Sequence, residues 1–278
     1  MTRVTSEPTD ATSLDEAIRR AADILAAASY TVVLAGAGIS KESGIPTFRG
    51  DGGLWTIHGE PPLNQFETFS ADPRRWWERR LDDPDPNGFA ASIDQASPNA
   101  GHTALVELER MKVVRHVISQ NVDDLHRRAG QQSLTEIHGN RHWLRCMTCG
   151  SRWPKAEFIV DPLALPPMCA QPGCDGVVKS DTVMFGEPIP VEALFRSSEE
   201  TRLADCFMTI GTSAVVYPAA QYPVEAVRRG LPLIEVNPEV TPLTDVATAI
   251  IRAPSGVALP ALVDAVRARR EGNGTGSW

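Results

Sequence analysis

The sequence predicts an α/β protein built on a mainly parallel sheet, and three observations carry that reading. Short apolar, β-branched runs recur along the chain at Thr31–Ala35, Lys112–Ile118, Cys206–Ile210 and Leu233–Val236, as buried strands require. Amphipathic helical stretches alternate with them, and parallel strands need such crossovers. The first run opens directly into Gly36-Ala37-Gly38, and open α/β sheets bind ligands at the C-terminal ends of their strands.

Composition sets the outer limits. The 278 residues, 42% hydrophobic and 22% charged, can fill one large domain or a large domain with a small one. A net charge of −8 argues against a general nucleic-acid binder, so no nucleic-acid partner is expected. No 18-residue apolar run exists and the first twelve residues are polar. Neither a membrane span nor a signal peptide is expected, and the default location is cytoplasmic. Four of the five cysteines fall between Cys146 and Cys174, which makes a disulfide framework the poorer explanation.

Taken in order, Met1–Thr12 reads as a disordered lead. Ser13-Leu14-Asp15-Glu16 is a capping box, and Leu14, Ile18, Ala21, Leu25 and Ala28 then fall on one helical face. After the first strand, Gly36 and Gly38 allow a tight turn and a close approach to a pyrophosphate, whose charge exposed amides would meet. The third position of the dinucleotide fingerprint is Lys41, so that pattern is incomplete. Gly44–Arg49 breaks any helix, exposes Phe48 and ends on Arg49. Frequent glycine and proline between 50 and 98 leave room only for short helices, the best being Arg74–Leu81 with Trp76 and Trp77. Gly101–Met111 is a second amphipathic helix.

Gln120-Asn121-Val122-Asp123 follows the second strand, where an amide and a carboxylate could hold a carboxamide, Asn donating and Asp accepting. Both residue types are also ordinary turn and cap residues. Leu134–Gly139 is a short strand that delivers His138 just past its end, where a near-neutral imidazole suits a general base. His58, His102, His116 and His142 read as structural or surface residues, and His126 as a supporting one. Cys146 and Cys149, then nineteen residues, then Cys169 and Cys174 form two knuckles that can bring four thiolates into a tetrahedron around Zn2+. A four-sulfur site is closed and therefore structural. Cys206 reads as a small core residue. Beyond it come a helix from Pro218 to Arg229, a last strand at Thr248–Ile251, a last helix at Leu259–Arg269 and a polar tail over 271–278.

Six of these blocks resemble, in order, the motifs of the sirtuin family, the NAD-dependent protein deacylases. They are the stretch from Gly36 through Phe48-Arg49, the Gln120–His126 segment, His138-Gly139, the paired cysteines, Val183-Met184-Phe185-Gly186-Glu187, and the loops at Gly211-Thr212-Ser213 and Asn237. The resemblance implies a Rossmann-like doubly wound parallel sheet with a small zinc-binding domain formed by insertions. The NAD-binding domain would take 13–49, 99–139 and 182–270, a helical module 50–98, and a zinc ribbon 140–181. NAD would contact Gly36, Ala37, Gly38, Phe48, Arg49, Gln120, Asn121, Val122, Asp123, Gly211, Thr212, Ser213 and Asn237. An acylated-lysine peptide would pair with an extended segment carrying Val183, Phe185, Gly186 and Glu187.

In that scheme Asn121 and Asp123 hold the nicotinamide, and Phe48 covers its pocket after departure. The acyl oxygen attacks the ribose, and His138 removes a ribose proton so that the acyl group passes from lysine to ADP-ribose. A mono-ADP-ribosyltransferase would use the same pocket. An NAD oxidoreductase is what the glycine turn alone suggests, and a zinc-ribbon interaction protein without catalysis is the third class. Family members that prefer acidic acyl chains carry a Tyr-x-x-Arg pair in the helical module. Here the matching stretch is Arg75–Arg80, without the phenol, so two indoles and a neutral acyl chain are expected.

Overall fold

The computed structural model describes residues 13–50 and 52–274; the lead over 1–12 and the end of the tail over 275–278 lie outside the described residues. The chain opens with helix α1 (Leu14–Ala27), where the Ser13 hydroxyl accepts the Glu16 N–H at 3.2 Å. Strand β1 (Thr31–Ala35) follows and is buried at every position. A short 3₁₀ helix, Ala37–Ser43, begins immediately after it. Four short helices then occupy the glycine- and proline-rich region: α2 (Leu54–His58), α3 (Gln65–Ala71), α4 (Pro73–Asp82) and α5 (Phe89–Gln95). Helix α6 (Ala100–Arg110) starts on a capping box in which Asn99 and His102 satisfy each other's backbone amides.

Strand β2 (Val114–Ser119) leads through helix α7 (Leu125–Ala129) to β3 (Leu134–Glu136). Three antiparallel strands come next, β4 (Trp143–Cys146), β5 (Arg152–Pro154) and β6 (Val178–Ser180), in the order β5-β4-β6. Helix α8 (Val191–Leu203), β7 (Cys206–Ile210), α9 (Gln221–Arg228), β8 (Leu233–Val236), β9 (Ala249–Ile251) and α10 (Ser255–Gly274) complete the main layer. The last helix starts four residues earlier than its periodicity suggests and runs through 271–274, so the first half of the expected tail is helical.

The six-stranded sheet has the order β3-β2-β1-β7-β8-β9, and every pair is parallel. From β1 the chain fills one side through β2 and β3. It then crosses over and fills the other side from β7, so the order of strand addition reverses between β1 and β7 while all strands stay parallel. Ligands of open α/β sheets sit at such a switch point. Both faces are covered, as all-parallel sheets require. Leu25, Val33, Leu105, Met208 and Leu262 belong to a core that joins α1, α6 and α10 to one face. Leu34, Phe207 and Tyr222 belong to the core under α8 and α9 on the other. Cys206 is fully buried in the sheet, as expected.

Helix α4 packs against the three-stranded sheet. Trp77 shares a core with Leu144, Cys146 and Val178, and its indole N–H donates to the Val178 carbonyl at 2.9 Å. Among the described residues no helix is long and apolar enough to cross a membrane.

Candidate active site

One cleft of about 940 Å³ opens at the C-terminal ends of the central strands. On the sheet side it is lined by Gly36, Ala37 and Gly38 after β1, Gln120, Asn121 and Val122 after β2, Gly211, Thr212 and Ser213 after β7, and Asn237 after β8. The opposite wall carries Phe48, Arg49, Trp55, Arg80 and the turn over 182–187. The glycines after β1 serve the protein before any ligand. A Cβ at Gly36 would lie 2.7 Å from Thr212 Cβ, and one at Gly38 2.6 Å from Gly211 Cα. Their amides donate to Ile210 and Gly211 carbonyls at 2.9 and 2.8 Å. They therefore dock the β1 loop on the β7 loop, and these two N–H groups are not the free phosphate donors that the glycine pattern suggests.

At the rear of the cleft three side chains form a buried polar chain. The Asn121 amide donates to Gly36 O at 3.2 Å and to Ser40 Oγ at 3.1 Å. The Ser40 hydroxyl in turn donates to Asp123 Oδ2 at 2.7 Å, while Asp123 Oδ1 accepts the Leu125 N–H. With both amide hydrogens used, Asn121 offers its carbonyl oxygen and not the expected N–H. Asp123, Ser40 and Phe48 line a small recess behind the main cleft together with Ile45 and Val122. Phe48 closes that recess, held by ring contacts to Trp55 at 5.0 Å and Phe89 at 5.5 Å. Arg49 stacks 4.4 Å over the Trp55 ring and pairs with Glu60 at 3.0 Å.

His138 stands on the wall between these groups and the 182–187 turn. Its Nδ1 lies 3.1 Å from the Gln120 carbonyl, which can only accept. The proton is thereby fixed on Nδ1, and Nε2 is the basic nitrogen. Burial pushes the imidazole below its usual pKa, with the Gln120 contact acting in the opposite direction. Next to it Gly139 adopts φ 75°, and a Cβ there would run into the Asp181 carbonyl. The backbone beyond the base is thus pressed against the end of β6.

Among the described residues, the segment after β6 pairs with no strand of the protein itself. Residues 181–182 bend and 185–186 turn, and the Glu187 carboxylate folds back to accept the Met184 N–H at 2.9 Å. Gly186 supplies the left-handed φ of 82° that the turn requires. Val183, Phe185 and Gly186 line the cleft. Glu187 also lines it, and its carboxylate is buried in ion pairs with Arg145 and Lys179.

The sulfur atoms of Cys146, Cys149, Cys169 and Cys174 all lie within 4.8 Å of one another. Two of the separations are 3.7 Å (Cys146–Cys174) and 3.6 Å (Cys149–Cys169). A tetrahedron with Zn–S bonds of about 2.3 Å has S···S edges of about 3.8 Å, so the four thiols fit a zinc ion without rearrangement.

The sequence model of the Sir2 family matches residues 36–218. The chain belongs to the Sir2 family. A relative from Pyrobaculum aerophilum named NAD-dependent protein deacylase 2 is 42% identical over 251 residues, 89% of this chain and 95% of its own length. A Sir2 enzyme solved to address mechanism and regulation is 40% identical with a TM-score of 0.74, covering 92% of this chain and 100% of that one. A Sir2 solved with a deacetylated p53 peptide and 3′-O-acetyl ADP-ribose is 30% identical with a TM-score of 0.73, covering 89% and 97%.

In this sirtuin the residues singled out from the sequence converge on one cleft, apart from the cysteines, which gather in the small sheet. Three contributors were not singled out. Ser40 bridges Asn121 and Asp123, Trp55 supports Phe48 and Arg49, and Lys179 binds Glu187. Ser40 does sit inside the glycine block, but nothing in a polar run separates it from an ordinary helix hydroxyl. The expected wall of two indoles is absent. Trp77 is buried under β6, Trp76 packs edge-on against Phe69 and Trp77, and from that stretch Arg80 is the residue that lines the cleft.

Proposed function

We propose that the chain is an NAD-dependent protein-lysine deacylase, which moves an acyl group from lysine to ADP-ribose and releases nicotinamide. The observation that carries this reading is the meeting, in one cleft, of a base with a free Nε2 (His138) and the buried Asn121–Ser40–Asp123 chain. The name of the Pyrobaculum relative, and the product and peptide bound by the Sir2 structure described above, support it.

NAD is the co-substrate in this reading and supplies the electrophilic ribose carbon. The recess behind Phe48 is only about 10 Å³ as it stands, so in this reading Phe48 moves aside to admit the nicotinamide, whose carboxamide N–H the Asn121 carbonyl oxygen can accept. Gly211–Ser213 and Asn237 face the ADP-ribose portion, and Arg49 steadies phosphate or ribose. His138 accepts a proton from a ribose hydroxyl through Nε2, and the Gln120 carbonyl stabilises the resulting imidazolium through Nδ1. The acyl-lysine peptide lies along Val183, Phe185 and Gly186. Zinc on the four cysteines is structural, because all four positions are taken by sulfur. Thiols free to ligate metal suit a reducing, cytoplasmic setting.

Mass spectrometry of NAD incubated with acyl-lysine peptides tests the reading. Free nicotinamide, deacylated peptide and O-acyl-ADP-ribose are expected in equal amounts. Peptide carrying ADP-ribose in their place would make the chain a mono-ADP-ribosyltransferase, and nicotinamide retained on reduced cofactor would make it an oxidoreductase.

A further inference from the structure

Lys179 in β6 has no exposed surface. Its ammonium group donates to Ser180 O at 2.8 Å, to Thr182 O at 2.8 Å and to Glu187 Oε2 at 2.9 Å, which uses all three of its protons. The other Glu187 oxygen accepts from Arg145 Nη2 at 2.6 Å. Arg145 also faces Asp181 at 3.4 Å, and the second Asp181 oxygen is held by Arg152 and by the Asn140 amide. Burial of these charges is costly, and an apolar set of similar volume would be as stable or more so. Fold stability alone therefore does not account for an ammonium ion at this position.

What the contacts share is their target. Two of the Lys179 bonds and the Glu187–Met184 bond close on residues 182–187, and the Val183 N–H donates to the His138 carbonyl at 2.9 Å. The turn is thus held from below by the ion pair and from the side by the segment carrying the base. Val183, Phe185 and Gly186, which line the cleft from this turn, carry no charged group of their own. Their placement depends on the groups beneath them.

We propose that Lys179 and Glu187 are positioning residues for the acylated substrate. The buried pair clamps the Thr182–Glu187 turn so that the backbone of Val183 and Gly186 meets the peptide at a fixed height beside His138. This proposal rests on the deacylase reading of the cleft for its purpose, but the clamp itself is testable without turnover.

The test uses the full-length, zinc-loaded protein as wild type, Lys179→Met, and the double variant Lys179→Met/Glu187→Gln. The double variant covers the case in which the single one fails to fold around a less balanced carboxylate. Hydrogen exchange of the Val183, Met184 and Glu187 amides should accelerate about tenfold or more while β1 amides keep their protection. With an acetyl-lysine peptide, the peptide KM should rise about tenfold while kcat and the NAD KM stay within about twofold. Unchanged exchange at 183–187 would overturn the clamp whatever the wild type catalyses. Faster exchange with an unchanged peptide KM would overturn its role in placing substrate. Equal losses in peptide and NAD KM would also overturn it, by showing a general disturbance of the cleft. A wild type that deacylates no peptide yet shows the exchange difference would count against the deacylase reading and leave the clamp standing.

Discussion

At the residue scale the proposed chemistry depends on one imidazole in one tautomer. Because the Gln120 carbonyl fixes the proton on Nδ1 and burial lowers the pKa, His138 stays neutral to lower pH than a free histidine. The acid limb of kcat/KM should therefore fall at an apparent pKa below 6.5. His138→Ala should reduce deacylation by about 10²–10⁴-fold and leave ADP-ribose affinity within a small factor. A near-normal rate in that variant would remove His138 from the mechanism. The placement of His138 in the cleft was legible, because it stands before a glycine just past a strand end, where an imidazole can reach a ligand. Ser40 was not, because its partner Asp123 is 83 residues away in the chain and only the fold joins them.

At the element scale, continuous apolar strands were read to within a residue or two, since β1, β7 and β8 are buried on both faces and carry no competing pattern. The turn within the 182–187 segment was not legible, because Val-x-Phe looks the same in a strand and in a turn. What decides between them is a carboxylate two residues beyond Phe185 that finds the Met184 amide. The tryptophans of α4 misled. Their pairing with β6 joins sequence positions 101 apart. The small sheet draws on α4 and on the zinc site for its core, since Cys146 packs with Trp77, Leu144 and Val178. Cys169→Ser should therefore release metal and unfold this sheet, because the binding energy of such a site is largely folding energy. Zinc content should drop to near zero and the melting temperature should fall. A metal-free variant with unchanged melting would refute the structural role.

At the scale of the whole molecule, the class of fold was legible but the strand order was not. Nothing local says that β7, and not β2 alone, lies beside β1; that follows from covering both faces with right-handed crossovers. The packed interior has its own pH signature. Burial holds His116 and His126 at about 4, and holds His102, beside His126, at about 3. Between those values and the usual 6.5, the unfolded chain binds protons that the native one refuses. Stability should therefore decline as pH falls from 6.5 toward 4, by up to about 3 kcal/mol for each of His116 and His126. Denaturant titrations at pH 7 and pH 5 should show a lower midpoint at pH 5, with nearly three protons taken up on unfolding at pH 5, about one for each of the three histidines. Equal midpoints would mean that these imidazoles are protonated in the native state.

The strand order also bears on how the chain is made. The central strand β1 leaves a ribosome long before its neighbour β7, which begins only at Cys206. Until then one edge of the sheet's innermost strand has no lasting partner, and its apolar faces await helices α8, α9 and α10. At 5–20 residues per second that interval is on the order of ten seconds or more. An unpaired, uncharged strand edge invites pairing with other chains. A growing polypeptide of this design has reason to rely on chaperone cover until β7 emerges, and a fragment that stops just short of β7 should aggregate even though it carries both His138 and the four clustered cysteines.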